Sequence, residues 1–173
     1  KEVEDVVREL KKSLEENEKR VRDIERELRE VVKKIAKRVE ETREEVERML
    51  EEIRRRSGED EIVKEITEVV ETVVRLDRES LEELKRVVDR IVELLKKNVE
   101  DLKRAIEEVE RLLREDDIKK VVDEARKVLK EVHENTERIV DEARKLLKRM
   151  EEKNRKTEED IRRVADEVRE KAR

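Results

Sequence analysis

His133 is the only histidine of the chain, and it raises the first chemical question. It lies in the stretch EVHENTER, residues 131–138, whose polar side chains interrupt a helical pattern of aliphatic residues. A histidine among polar side chains can bind a metal or act as a general base. A zinc site, however, needs three or four His, Cys or carboxylate ligands, and residue 130 is Lys rather than the Glu of the Glu-x-x-His pair of bundle di-metal sites. We therefore expect a neutral imidazole that is hydrogen-bonded within a polar layer.

Asp77 is the second residue that could do chemistry, because it lies on the apolar seam of its helical pattern. Burial disfavours a carboxylate's charge, and the resulting group could serve as an acid or a base. The other interpretation is an acceptor for hydrogen bonds from Thr42, Asn154 or Thr157. We expect the acceptor, since the sequence offers no nucleophile–base pair and no phosphate-binding glycine motif. The sequence thus predicts a protein that is not an enzyme and needs no metal or cofactor.

The composition indicates that any such residues are positioned by helices alone. Charged residues make up 58% of the chain, yet Val, Ile and Leu recur every three or four positions, which a disordered polyelectrolyte would not show. Aromatics, Cys and Pro are absent and there is one Gly, a composition typical of long helices. Strands and a disulfide framework are excluded.

The distribution of charge narrows the classes of partner. The 48 basic and 53 acidic residues are interspersed and give a net charge of -5, which argues against nucleic acid, as does the lack of aromatic stacking platforms. No apolar run approaches the roughly 20 residues of a membrane span, and the start KEVEDVVREL lacks the apolar centre of a signal peptide. We expect a soluble protein without a targeting signal, made in the cytoplasm of an expression host.

Two stretches indicate breaks between helices. RRRSGEDE, residues 54–61, places Arg before Ser-Gly and acids after it, as at a helix end, a turn and a new helix start. LLREDDIKK, residues 112–120, offers Asp116 or Asp117 as an N-cap but has neither Gly nor Pro, so one continuous helix is the alternative there. Cutting at both gives helices at about 2–56, 59–114 and 117–172 within a single domain.

Three helices of about 57 residues joined by short turns predict an up-down-up bundle. The near-repeat of VVDEARKVLKEV (121–132) in IVDEARKLLKRM (139–150) is displaced by 18 residues, which is five turns of a straight helix. At Val31–Ile35–Val39 two successive core residues are each four positions apart, where a heptad pattern would alternate spacings of three and four. This interruption also indicates little supercoil. We expect a straight all-α bundle with little supercoil.

Folding at those two turns brings the polar residues of the seams to two levels. The first predicted layer comprises Ser13, Asn17, Asn98, His133, Asn135 and Thr136, and the second comprises Thr42, Asp77, Ser80, Asn154 and Thr157. An unpaired buried polar group costs about 1–3 kcal/mol, so each layer is stable only in the register that pairs its members. The layers are predicted to fix helix register, and the chain to be a monomeric structural scaffold.

A wide apolar face on the second helix points to an alternative function. Ile62, Val69 and Leu76 form a stripe beside the core-facing pattern of Val63, Ile66, Val70 and Val73. Either this helix packs more deeply here or another chain covers it. In the second case the chain is an interaction module that forms a homo-oligomer or binds a designed helical partner.

In these features the chain resembles de novo designed helical bundles with buried hydrogen-bond networks. The shared features are equal-length helices, Ser-Gly and Asp-rich turns, surfaces of Glu, Lys and Arg, aliphatic cores, and polar layers such as Asn17, Asn98 and His133. The resemblance implies a structural purpose, either as a monomeric scaffold or as a component of a designed assembly. Natural spectrin-like three-helix repeats are the nearest alternative, but this chain lacks their Trp and Pro and has much longer helices.

Overall fold

The computed structural model describes residues 2–57, 60–112 and 118–171. Three α-helices cover almost all of them: α1 (Glu2–Ser57), α2 (Glu61–Leu112) and α3 (Ile118–Lys171), with 56, 52 and 54 residues. No strand occurs in these ranges, and the three helices pack against each other. The prediction of an all-α three-helix bundle is confirmed.

The start of α2 follows from local chemistry. Asp60 is its N-cap: the Ile62 N–H donates to Asp60 Oδ1 at 3.0 Å, and the Lys64 N–H donates to the Asp60 carbonyl at 3.1 Å. The last turn of α1 carries three arginines, which suit the negative end of its dipole. Gly58 and the predicted N-caps Asp116 and Asp117 lie outside the described residues.

The chain packs as two compact units, each with a segment of all three helices. The first unit comprises Lys1–Leu28 and Val88–Lys145, and the second comprises Arg29–Val87 and Leu146–Arg173. In the first unit, Leu102, Ile106 and Val109 of α2 pack in one cluster with Val121 and Ala125 of α3. The end of α2 therefore lies beside the start of α3, which excludes one continuous helix. That the chain is a single domain stays a prediction.

Ion pairs within the first unit give the helix directions. Successive α1 residues seven apart meet α2 residues that decrease by seven, so these helices are antiparallel: Lys11–Glu110, Glu18–Lys103 and Glu25–Lys96. Between α1 and α3 both numbers rise together, in Arg20–Glu137 and Glu27–Arg144. The second unit repeats the parallel pairing in Glu45–Arg162 and Glu52–Arg169. The helix directions are thus up, down and up.

Each helix carries a buried stripe in which steps of three and four mostly alternate. In α1, two consecutive steps of four occur at Ile24–Leu28–Val32 rather than at the predicted Val31–Ile35–Val39, because Val32 is buried and Val31 only half-buried. Equivalent double steps occur in α2 and α3, at Leu84–Val88–Val92 and Val132–Thr136–Val140. Such interruptions locally unwind a heptad supercoil. That the helices are straight, with little supercoil, stays a prediction.

Candidate functional site: two buried polar layers

The first unit contains a hydrogen-bonded link between α2 and α3. The half-buried Asn98 donates from Nδ2 to Thr136 Oγ1 at 2.7 Å and to the Val132 carbonyl at 3.2 Å. Thr136 is buried, and its neighbours on the stripe, Val132 and Val140, are buried aliphatic residues. Because the Asn98 amide donates to both a hydroxyl and a main-chain carbonyl of α3, it links α2 and α3 at one axial position.

Asn17 is buried on α1 but hydrogen-bonds within its own helix. Its Nδ2 donates to the Ser13 carbonyl at 2.8 Å and to Ser13 Oγ at 3.2 Å, one turn earlier. This local capture satisfies the amide without a partner on another helix. Asn17 and Ser13 therefore form a polar pair on α1 of the first unit.

Two of the predicted members of the first layer lie elsewhere. His133 is exposed, so the expectation of a buried imidazole is corrected: the α3 partner of Asn98 is Thr136. His133 and Thr136 are three positions apart on α3, so their side chains point in directions that differ by about 60° around the helix axis, at roughly 100° per residue. Asn135 is half-buried, and its Oδ1 accepts a surface hydrogen bond from Arg138 at 2.9 Å.

The second unit contains two links between helices. Asn154 of α3 donates from Nδ2 to Asp77 Oδ1 of α2 at 2.8 Å. Arg162 of α3 donates from Nη2 to Thr42 Oγ1 of α1 at 3.0 Å, and from Nε to Glu45 Oε2 at 2.8 Å. Thr42 and Asp77 are both buried. Burial raises the pKa of Asp77, and the hydrogen bond from Asn154 partly opposes that shift.

Glu158 is a member of this second layer that the sequence analysis missed. Only 2% of its surface is exposed, and it lies one turn after Asn154 on the stripe that continues to Ile161 and Ala165. Burial raises its pKa to about 7, the nearby Asp77 adds to the shift, and Arg38, Arg162 and the Thr42 hydroxyl oppose it. The helical period through Asn154 and Ile161 was a signal that could have revealed it.

Two predicted members of the second layer make no link between helices. Ser80 is exposed, because the buried stripe of α2 passes through Asp77, Leu81 and Leu84 instead. Thr157 is half-buried, and its hydroxyl donates to the Lys153 carbonyl of its own helix at 2.9 Å. Both positions are corrected to surface or local roles.

Thr67 is a second buried polar residue that the sequence analysis missed. It lies on the α2 stripe one step before Val70, and its Oγ1 makes no hydrogen bond with any described residue. A buried hydroxyl without a partner is destabilising. Thr67 therefore occupies a core position at which its hydroxyl makes no stabilising hydrogen bond with a described residue.

The second layer supports proton binding rather than metal binding. Among residues 2–57, 60–112 and 118–171, no three His, Asp or Glu side chains lie close enough together to bind a metal ion. Its carboxyls, Asp77 and Glu158, come from different helices and are both buried, which favours the neutral form of one of them. The chemistry available to the layer is the uptake and release of a proton.

The predicted apolar face of α2 is uncovered in the second unit. The exposed fractions of Ile62, Val69 and Leu76 are 68%, 61% and 52%, which excludes deeper packing of the helix here. A groove between the start of α2 and the end of α3 is bordered by Ile62 and Val69 on one side and by Val164 on the other. We call Ile62, Val69 and Leu76 the helix-2 face.

Comparisons with known proteins add no relatives. No family model, curated protein or solved structure matches the chain. Within the described residues, no helix has a stretch apolar and long enough to cross a membrane. The likeness to designed bundles therefore stays a prediction, and the function is argued from the contacts above.

Proposed function

We propose that this chain is a structural scaffold without catalytic activity, of the designed-bundle kind that its sequence resembles, whose polar layers fix the register of its helices. The observation that carries the proposal is that each unit holds a side-chain hydrogen bond between α2 and α3, Asn98–Thr136 in the first and Asn154–Asp77 in the second. Aliphatic residues alone tolerate many axial positions, because Leu packs against Val at any of them.

The layers discriminate between registers because polar atoms need partners. If α2 moves by one heptad, about 10 Å at roughly 1.5 Å per residue, Asn98 leaves Thr136 and faces aliphatic side chains. An unpaired buried amide or hydroxyl costs about 1–3 kcal/mol. A free-energy cost of about 1.4 kcal/mol corresponds to a tenfold change in an equilibrium constant. Loss of one link therefore lowers the population of the shifted arrangement by a factor of ten or more.

The experiment that tests this function replaces the polar links with aliphatic residues. We expect Asn98→Leu and Thr136→Val, combined with Asp77→Leu and Asn154→Leu so that neither unit keeps its α2–α3 link, to retain the helical content but to give several sets of backbone NMR signals or a changed molecular mass. The matched control is His133→Ala with Asn135→Ala, which changes two predicted layer residues for which the structure shows no link between helices. One set of signals and an unchanged mass in the apolar variant would contradict a register function.

A second candidate function, the docking of a partner helix, is favoured by the helix-2 face. Its residues are seven apart and span about 21 Å along α2, at roughly 1.5 Å per residue, which matches the apolar seam of one short helix. The groove beside it carries three carboxylates, Asp60, Glu65 and Glu167, against one cation, Lys171. We propose an amphipathic helix with basic residues beside its apolar stripe as the occupant.

A second copy of this chain is the less suitable occupant. A second copy carries the same excess of carboxylates along this face, so a twofold pair adds no basic surface to offset Asp60, Glu65 and Glu167. Like charges facing each other across an interface cost several kcal/mol, as a rough measure. A basic partner instead meets the three carboxylates with opposite charge.

The probe for docking is a fluorescent peptide of three heptads, with Leu at the first and fourth positions, Ala at the fifth and Lys at the others. We expect saturable binding that is lost in Ile62→Ser with Val69→Ser and retained in Leu94→Ser, an exposed apolar residue of α2 outside the groove. The same peptide with Glu for Lys should not bind. Equal binding to both variants, or self-association of the chain that Ile62→Ser with Val69→Ser abolishes, would overturn a basic partner.

A further inference from the structure

Glu158 of the second layer lies near two arginines that already pair with other carboxylates. Three charged groups face Glu158: Arg38 from α1, Asp77 from α2 and Arg162 from α3. Arg38 Nη2 lies 3.6 Å from Glu151 Oε1, and Arg162 Nε donates to Glu45 Oε2 at 2.8 Å. Both arginines therefore have carboxylate partners of their own, while Asp77 repels a charge on Glu158.

Two buried oxygen atoms in the layer lack donors. Glu158 Oε1 and Asn154 Oδ1 make no hydrogen bond with any described residue. They belong to side chains four residues apart on α3, which places them on the same face in successive turns. An ionised carboxylate can only accept hydrogen bonds, as can the amide oxygen, so neither atom can satisfy the other.

One proton on Glu158 would satisfy both atoms, because a carboxylic acid donates through its O–H. We propose that Glu158 is protonated in the folded chain and donates to Asn154 Oδ1, which makes the second layer a proton-dependent lock on helix register. This inference rests on the proposed register function for what the proton controls. The protonation itself can be measured separately.

The donor and acceptor directions around Glu158 fit this arrangement. Arg162 donates to Thr42, the Thr42 hydroxyl hydrogen-bonds to Glu158, and Asn154 donates to Asp77. With the proposed hydrogen bond added, one chain of donors runs from Arg162 to the Asp77 carboxylate and joins all three helices. The raised pKa of Glu158, about 7, supports a proton held there up to neutral pH.

Loss of the proton would break this chain at its middle. The link from Glu158 to Asn154 disappears, and two ionised carboxylates then lie buried in one layer. Arg38 is a cation near Glu158, and its buried Nη2 makes no hydrogen bond with any described residue. A turn of this nitrogen toward Glu158 would compete with its ion pair to Glu151. The deprotonated layer is therefore less tightly held.

The test is an NMR titration of side-chain carboxyl carbons and amide groups in the intact chain. We expect the Glu158 carboxyl to titrate with a midpoint at about 7, and the Asn154 side-chain amide to shift with the same midpoint. In Glu158→Gln, the step in the Asn154 signals should vanish.

Two results would overturn the proton lock. One is a Glu158 midpoint near the ordinary value of 4.5, and the other is a raised midpoint with Asn154 signals that do not respond. Neither result bears on the register function, which depends on the oligomeric state and the signal multiplicity of the apolar variants. The failure of the lock and the failure of the scaffold function are therefore distinguishable.

Discussion

Replacing Glu158 with Gln should remove a pH dependence of stability that the second layer imposes. Burial raises the pKa of Glu158 to about 7 from 4.5, so the unfolded chain releases this proton first as the pH rises. The contribution to stability is fully present below about pH 4.5, declines as the pH rises toward about 7, and is lost above it. Gln has nearly the same shape as protonated Glu, retains a donor for Asn154 and carries no charge.

The size of the effect follows from the two pKa values. At about 1.4 kcal/mol per pH unit, the gap between 4.5 and about 7 corresponds to about 3 kcal/mol of stability. Asp77 changes stability in the same direction, because its pKa is also raised by burial. We expect Glu158→Gln to match the wild type in acid and to exceed it by up to about 3 kcal/mol at mildly alkaline pH.

Urea unfolding at a series of pH values measures this difference directly. The exposed Glu159→Gln carries the same chemical change and should leave the wild-type profile unaltered. If Glu158→Gln and the wild type gave parallel profiles across this range, the buried acid would not be protonated in the folded chain and the reasoning would be refuted.

Three further substitutions follow from the same contacts. Asn98→Leu and Thr136→Val should each lower the free energy of unfolding by about 1 kcal/mol. In a double-mutant cycle measured by denaturant unfolding, the double variant should lose less than the sum of the two. Additive losses would contradict a direct link between the two side chains. Thr67→Val should stabilise the chain by about 1 kcal/mol by removing a hydroxyl without a partner, seen as a raised melting temperature; a lowered one would show that the hydroxyl is satisfied. Asp77→Asn should lower the NMR midpoint of Glu158, because it removes a like charge; an unchanged midpoint would show that the two carboxyls do not interact.

The fold could be predicted because its signals are local. The aliphatic period and the Ser-Gly sequence indicate where helices form and end, and near-equal lengths then require antiparallel neighbours. The weaker stretch at 112–120 could not be decided from sequence, since it has neither Gly nor Pro. The packing of Val109 against Val121 and Ala125 decides it, because these residues belong to two separate helices lying side by side.

The predicted polar layers include some residues that the structure links between helices, such as Asn98 and Asn154, and others that it does not, such as His133 and Ser80. Matching residue numbers across helices gives the axial level, whereas burial depends on the angle around each helix. His133 and Thr136 lie within one turn of each other on α3, yet only Thr136 is buried. Glu158 was overlooked because glutamate is ordinarily a surface residue. Its burial depends on Thr42 and Asn154, whose placement beside it needs the three-dimensional packing.

The most direct test of the register function is a distance measurement within the first unit. The chain has no cysteine, so spin labels at Glu93→Cys of α2 and Asp123→Cys of α3, two exposed positions, report one distance between the linked helices, which electron-spin resonance can resolve. With the layers intact we predict one narrow distribution. With Asn98→Leu, Thr136→Val, Asp77→Leu and Asn154→Leu, which together remove the α2–α3 link of both units, we predict a second population displaced by about 10 Å, one heptad of roughly 1.5 Å per residue. The same single narrow distance in the apolar variant would contradict the claim that the polar layers fix the register.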